Sequence, residues 1–238
     1  MAKDSIPPYY EVVGLLHPTD DATLKACLKY RNTPAPDMSL SWLRQTAYKV
    51  LSGQFSLAAL ERTIENKLPP NAWPSVKLAV KSLVNFASEK AWVGERLPDF
   101  MLEVGRGFVM PVRAAGRFHS KAGRWVAGLQ PRLDGAPDLI WQAQTWLALL
   151  NEAYCTDPLA PAIPLLVDVS RDPVTRKRSF NAIEGVGSSL IGRDELNARM
   201  NRFIDCYLRA VELVPVRPRR ERRRPEDEEH PWLPGLDP

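Results

Sequence analysis

The sequence predicts an α+β fold, with a helical N-terminal half, a mixed but mainly antiparallel sheet of four or more strands around a buried helix, and a C-terminal helix. Three observations support this prediction. Apolar side chains recur at helical spacing between residues 37 and 91. From residue 108 the apolar period changes to two, which is the alternation of β-strands. Around residue 146 one segment is apolar nearly all round, as in a helix enclosed by other elements.

Three helices are expected after a proline-rich N-terminal arm. The first begins after a capping residue, Asp37 or Ser39, and ends at Gly53. The second has Ser56 as its cap and ends before a proline pair that cannot continue a helix. The third runs from Pro74 to about residue 91. Within the arm, only a short helix near residues 23–30 is predicted.

A β-hairpin is predicted from residue 108 to residue 132. Alternation from Phe108 to Phe118 indicates one strand, and a second strand returns after the turn sequence SKAG. Phe118 and Trp125 fall on the apolar face, whereas the arginines fall mostly on the opposite face. This pattern predicts a one-sided antiparallel sheet, apolar within and basic outside.

The rest of the chain predicts a buried helix, a second pair of strands and a closing helix. The helix follows in APDLIWQAQTWLALLNEAY, the apolar run AIPLLVDVS suits an interior strand, and RKRSFNAIE is its hairpin partner. A last helix is expected from Asp194 to about Leu213. We therefore divide the chain into an arm (1–36) packed on the body, a single α+β domain (37–214) and a disordered tail (215–238), which is rich in Pro, Arg and Glu.

Composition limits the class of protein. The 238 residues include only three cysteines, without a C-x-x-C pair, and no run of 18 apolar residues. We expect a cytoplasmic protein with no export leader and no membrane partner. The net charge of +4 is modest, but residues 101–134 hold six Arg/Lys against two Asp/Glu, and residues 135–170 hold four acids and no base. The hairpin is therefore the basic part of the domain.

These basic side chains are the candidate nucleic-acid-binding residues, because Lys and Arg neutralise phosphates and release counterions. A second basic run, TRKRS, lies near the other predicted turn, and the two patches would line one groove if both hairpins share a sheet. The candidates are Arg113, Arg117, Lys121, Arg124, Arg132, Arg176, Lys177 and Arg178. Ordinary solvation of an outer sheet face is the alternative explanation for the same charges.

The order of elements resembles the PD-(D/E)-x-K nucleases over about residues 40–210: a helical region, a hairpin, an acidic residue, a buried helix and an apolar strand. That resemblance implies a divalent cation, Mg²⁺ or Mn²⁺, held by an Asp and a Glu-x-Lys motif. Asp134 could supply the first acid and Asp168 another, but no Glu-x-Lys follows Asp134, and Asp168 stands in DVS without a lysine. A divergent or inactive metal-dependent nuclease is thus one alternative function.

The leading hypothesis is a non-enzymatic accessory protein that binds nucleic acid or a nucleoprotein partner through the basic hairpin face. No G-x-S-x-G or P-loop motif is present, so no cofactor is expected outside the nuclease alternative. A third hypothesis is a protein-interaction module that uses apolar residues of the tail, namely Trp232, Leu233 and Leu236.

Overall fold

The computed structural model describes residues 7, 9–33, 41–130, 141–158, 161–170 and 180–214. Within these ranges the α+β prediction is confirmed, with seven α-helices, a five-stranded sheet and a two-stranded sheet. The helices are α1 (Tyr9–Leu15), α2 (Asp20–Asn32), α3 (Ser41–Leu51), α4 (Leu57–Lys67), α5 (Trp73–Lys90), α6 (Trp141–Tyr154) and α7 (Arg193–Leu213). The strands are β1 (Val93–Glu95), β2 (Phe100–Val104), β3 (Phe108–Val112), β4 (Gly116–Ser120), β5 (Gly123–Gln130), β6 (Ile163–Asp168) and β7 (Asn181–Glu184).

Residues at the helix ends determine where the predicted helices begin and end. The Ser56 hydroxyl accepts a hydrogen bond from the Ala59 amide at 3.2 Å, so Ser56 is the N-cap of α4, as expected. At the other end of the helical region, α5 terminates where Ala91 takes a left-handed conformation with φ of 48°. The helices predicted from capping and apolar spacing are confirmed as α3, α4 and α5.

The five-stranded sheet has the order β1-β4-β5-β6-β7. Strands β5 and β6 are parallel, and the other pairs are antiparallel. Parallel neighbours need a long crossover connection, and α6 lies within the segment between them. The predicted interior strand and its hairpin partner are confirmed as β6 and β7.

Helices cover both faces of this sheet. Phe118, Trp125 and Ala127 pack in one buried cluster with residues of α3, α4 and α5. Val126, which points the other way, packs in a second cluster with α1, α6 and α7. The expectation of a one-sided sheet is therefore wrong, because the crossover helix α6 covers the face that the alternation pattern had assigned to solvent.

The segment from Phe108 to Phe118 is two strands rather than one. Its first half, β3, pairs with β2 in the two-stranded sheet, and its second half, β4, lies between β1 and β5. The link between the two halves is Arg113–Ala115. This break separates Arg113 from the other basic residues of the predicted hairpin.

The N-terminal segment contributes two helices to the second cluster. Tyr9, Val12, Val13 and Leu16 are all buried there beside Trp146. Helix α2 packs against α7, and the Arg31 guanidinium donates hydrogen bonds to the Val214 carbonyl at 2.7 and 3.0 Å. None of the helices in the described ranges is long and apolar enough to cross a membrane. The boundaries drawn for the arm and tail stay predictions, and residues 215–238 lie outside the described part of the chain.

Candidate nucleic-acid interface

The β4–β5 hairpin positions the basic side chains at one end of the sheet. Ser120 and Gly123 are register partners, so Lys121 and Ala122 form a two-residue loop. Gly123 has φ of 154°, a conformation that side chains disfavour and glycine adopts readily. Phe118 and Trp125 are buried in the core, as the alternation predicted. Residues of the opposite parity therefore point away from that cluster.

Three polar residues at this end are exposed: His119, Lys121 and Arg124. His119 and Arg124 are register partners on adjacent strands, so their side chains are neighbours on one face. Among the described residues, neither Lys121 nor Arg124 has a carboxylate within ion-pair distance. We call His119, Lys121 and Arg124 the hairpin tip. It carries two exposed positive charges that no described carboxylate neutralises.

Arg117 lies further along the same face and is already engaged. Its Nη1 is 3.0 Å from Glu95 Oε1, and the two residues are also register partners. The Arg117 side chain is 28% exposed. It also lies close to Cys155, just beyond the end of α6, where its positive charge acts on the thiol. Arg117 is therefore expected to contribute less to the binding of an external anion than Lys121 and Arg124 do.

Arg113 lies outside the hairpin, in the link between β3 and β4. Its Nε donates to Asp99 Oδ2 at 2.7 Å, and its own carbonyl accepts a hydrogen bond from the Tyr9 hydroxyl. The structure thus brings Arg117 and the hairpin tip together and leaves Arg113 at the opposite end of β4. The remaining candidates, Arg132, Arg176, Lys177, Arg178, Asp134, Trp232, Leu233 and Leu236, lie outside the described residues.

Asp168, the described acid of the nuclease alternative, is a buried residue at the end of β6. It is fully buried, and its Oδ1 accepts hydrogen bonds from the Ser170 amide and hydroxyl. Its register partner on β5 is Gln130, which is 1% exposed. In the part of the chain that the structure describes, no group of three or more His, Cys, Asp or Glu residues could hold a metal ion. The interactions of Asp168 seen here are those of a turn-capping residue.

A cleft near Arg113 contains residues that sequence reasoning missed. It has a volume of about 340 Å³ and lies between α1, α3 and the links that follow β1 and β3. Its polar lining includes Arg96, Asp99 and Arg113, together with tyrosines from both helices. Arg96 and Asp99 stand in the irregular segment GERLPDF, which has no periodicity to single them out. Only the three-dimensional fold shows that Asp99 pairs with Arg113 and that Arg96 lines the same cleft.

Comparison with known proteins leaves the family open. No protein-family model and no curated protein matches the chain. Among solved structures, the crystal structure of SSO0001 has a TM-score of 0.33 at 11% identity, covering 76% of this chain and 83% of that one. An alkaline exonuclease from Laribacter hongkongensis, LHK-Exo, has a TM-score of 0.34 at 13% identity, covering 74% and 96%. Both TM-scores are low, so these likenesses assign neither a family nor an activity to this chain.

Cys155, which lies near Arg117, and Cys27, which lies in the core, are expected to be unreactive in the folded protein. Burial raises the pKa of Cys155 to about 12, although the nearby Arg117 opposes the shift. Burial, reinforced by Cys206, likewise raises the pKa of Cys27 to about 12. At about pH 8 a thiol reagent such as Ellman's reagent should label these residues only after the chain is unfolded, since the thiolate is the reactive form.

The same shifts have a consequence for stability at high pH. An unfolded thiol loses its proton near pH 9, whereas the folded thiols keep theirs up to about pH 12. The free energy of unfolding should therefore fall as the pH rises through this range, and less steeply in Cys155→Ala. Rapid labelling of the native protein that disappears in Cys155→Ala would contradict both expectations.

Proposed function

We propose that this protein is a non-enzymatic accessory protein that binds nucleic acid through the hairpin tip. The observation that supports this proposal is the exposure of Lys121 and Arg124 on one two-residue turn and its flanking strand, with no acidic partner among the described residues. Several other exposed arginines are already paired with a carboxylate, as Arg113 is with Asp99 and Arg106 is with Asp205. An external phosphate can therefore contact these two neighbouring cations without displacing a carboxylate of the described residues.

The mode of binding follows from where the aromatic residues lie. Phe118 and Trp125, the aromatic side chains of the hairpin, are buried and cannot stack on bases. Contacts from Lys121 and Arg124 would go to backbone phosphates, which carry no sequence information directly. We therefore expect binding that depends steeply on salt and tolerates many sequences.

Fluorescence anisotropy with labelled duplex DNA, single-stranded DNA and RNA tests the proposal on the full chain. Between about 50 and 200 mM salt, the logarithm of the affinity should fall linearly with the logarithm of the salt concentration. Sequence changes in the probe should alter the affinity far less than this change in salt. Absence of binding to all three probes at the lowest salt concentration would refute the proposal.

Metal-dependent nuclease activity is the alternative function, and the same labelled probes test it. Asp134 lies outside the described residues, and Asp168 accepts a hydrogen bond from the Ser170 amide. The labelled probes are incubated with Mg²⁺ or Mn²⁺ and examined for shortening. Cleavage by the wild-type chain that disappears in Asp134→Ala would replace the binding proposal with an enzymatic one. The interaction module based on Trp232, Leu233 and Leu236 stays a prediction.

A further inference from the structure

The cleft beside Arg113 has a guanidinium on each of two neighbouring links. Arg96 follows β1 directly, and Arg113 follows β3 directly. Both line the cleft, together with Asp99 and the apolar side chain of Leu129. Among the described lining residues, two positive charges and one negative charge leave a net positive charge.

The two arginines differ in how much of their donor capacity is in use. Arg113 donates from Nε to Asp99, and its two Nη groups have no hydrogen-bond partner among the described residues. The Arg96 guanidinium carbon lies 5.9 Å from the centre of the Tyr48 ring, which is a cation–π contact. Its N–H groups have no hydrogen-bond partner in the described ranges. No carboxylate of the described residues lies within ion-pair distance of Arg96. Planar guanidinium donors of this kind are suited to bidentate contact with oxyanions.

Three tyrosine hydroxyls form hydrogen bonds to the backbone of the two links that carry Arg96 and Arg113. The Tyr48 hydroxyl donates to the Gly94 carbonyl at 2.7 Å, two residues before Arg96. The Tyr9 hydroxyl donates to the carbonyl of Arg113 itself. The Tyr154 hydroxyl hydrogen-bonds to the carbonyls of Pro98 and Val112, at 2.9 and 2.7 Å, and thereby holds the residues adjacent to Asp99 and Arg113. Both links are therefore held in place before any ligand arrives.

We infer that this cleft binds a phosphoryl group through Arg96 and Arg113. A phosphate dianion matches the two guanidiniums, and Asp99 orients Arg113 without neutralising Arg96. The volume of about 340 Å³ is at the lower end of small-molecule sites, so the cleft has room for more than the phosphate alone. A free phosphorylated small molecule and one phosphate of a nucleic-acid strand would present the same chemistry. None of the hairpin-tip residues is among the described residues that line this cleft.

Isothermal titration of the full chain with inorganic phosphate, a nucleoside monophosphate and a short oligonucleotide tests this inference. Arg96→Gln should weaken the binding of phosphate-bearing probes by about tenfold or more, because it removes charge-assisted hydrogen bonds. Arg96→Lys should recover only part of this loss, since an ammonium cannot make the bidentate contact. The matched control is Arg62→Gln on α4, which removes the same charge from an exposed site outside the cleft.

The three probes distinguish a phosphorylated small molecule from a nucleic-acid strand. The variants distinguish binding in the cleft from binding at the hairpin tip. Tight binding of the monophosphate that is lost in Arg96→Gln supports a small-molecule ligand, and loss confined to the oligonucleotide supports a strand. Because Arg96 pairs with no carboxylate in the described part of the chain, its variant is expected to keep the wild-type melting temperature. Absence of binding by all three probes, or equal binding by wild type and Arg96→Gln, would overturn the inference. The double variant Lys121→Glu with Arg124→Glu should bind inorganic phosphate as the wild type does, even if the proposal for the tip fails.

Discussion

Replacing Lys121 and Arg124 together by glutamate is expected to weaken binding to duplex DNA by roughly fifty- to a hundredfold at about 0.1 M salt. Each phosphate contact releases close to one counterion, which contributes nearly a factor of ten at that salt concentration. Both side chains are exposed and have no acidic partner among the described residues, so their replacement breaks no observed ion pair. The fold is therefore expected to stay intact, with an unchanged circular dichroism spectrum.

A matched control separates the tip from general charge. Lys67→Glu with Lys81→Glu changes the net charge by the same amount on the exposed faces of α4 and α5. These helices cover the sheet from the side of the Phe118 cluster, and neither residue belongs to the tip. Anisotropy titrations of the two double variants are compared at one salt concentration. Equal weakening by both pairs would mean that the net charge of the chain, and not the tip, determines binding.

Replacing Trp146 by alanine is expected to lower the free energy of unfolding by about 3 to 5 kcal/mol. Trp146 is 1% exposed and lies at the centre of the cluster between the sheet and helices α1, α6 and α7. Its ring centre is 5.0 Å from that of Tyr9, and its Nε1 fills the space beside Gly128, where an added Cβ would lie only 2.6 Å away. The loss is a large fraction of the roughly 5 to 15 kcal/mol that stabilises a typical domain.

Urea unfolding followed by circular dichroism measures this loss. Leu208→Ala on α7 is the control, because Leu208 is 56% exposed and its truncation should change stability by no more than about 0.5 kcal/mol. Since Tyr9 packs on Trp146, the same loss should loosen α1 and the Tyr9 hydrogen bond to Arg113. A change below about 1 kcal/mol for Trp146→Ala would show that α1 and the sheet do not form one packed unit through this residue.

Local patterns in the sequence were sufficient to predict most of the elements. Caps such as Ser56 and the alternation through Phe118 and Trp125 depend on residues close in sequence, and the structure has these features. Helix α1 was missed although Tyr9, Val12, Val13 and Leu16 follow helical spacing, because the preceding prolines suggested an irregular arm.

Other features depend on contacts between distant segments. Inward-facing residues stay in phase from Phe108 through Val112 to Phe118, so the alternation cannot show that the chain passes from one sheet to another at Arg113. The outer face of the sheet is covered by α6. The sequence shows that α6 is apolar nearly all round, but it does not show against which face of the sheet the helix packs. The cleft combines two helices and two links that are far apart in sequence, and so no local pattern predicts it.

The most direct test of the hairpin tip is the slope of the logarithm of duplex-DNA affinity against the logarithm of salt concentration, measured for the wild type and for the variant with glutamate at both Lys121 and Arg124. If both side chains contact phosphates, the slope of the variant should be shallower than that of the wild type by about two. An identical slope for the two proteins would contradict the assignment of Lys121 and Arg124 as the phosphate contacts.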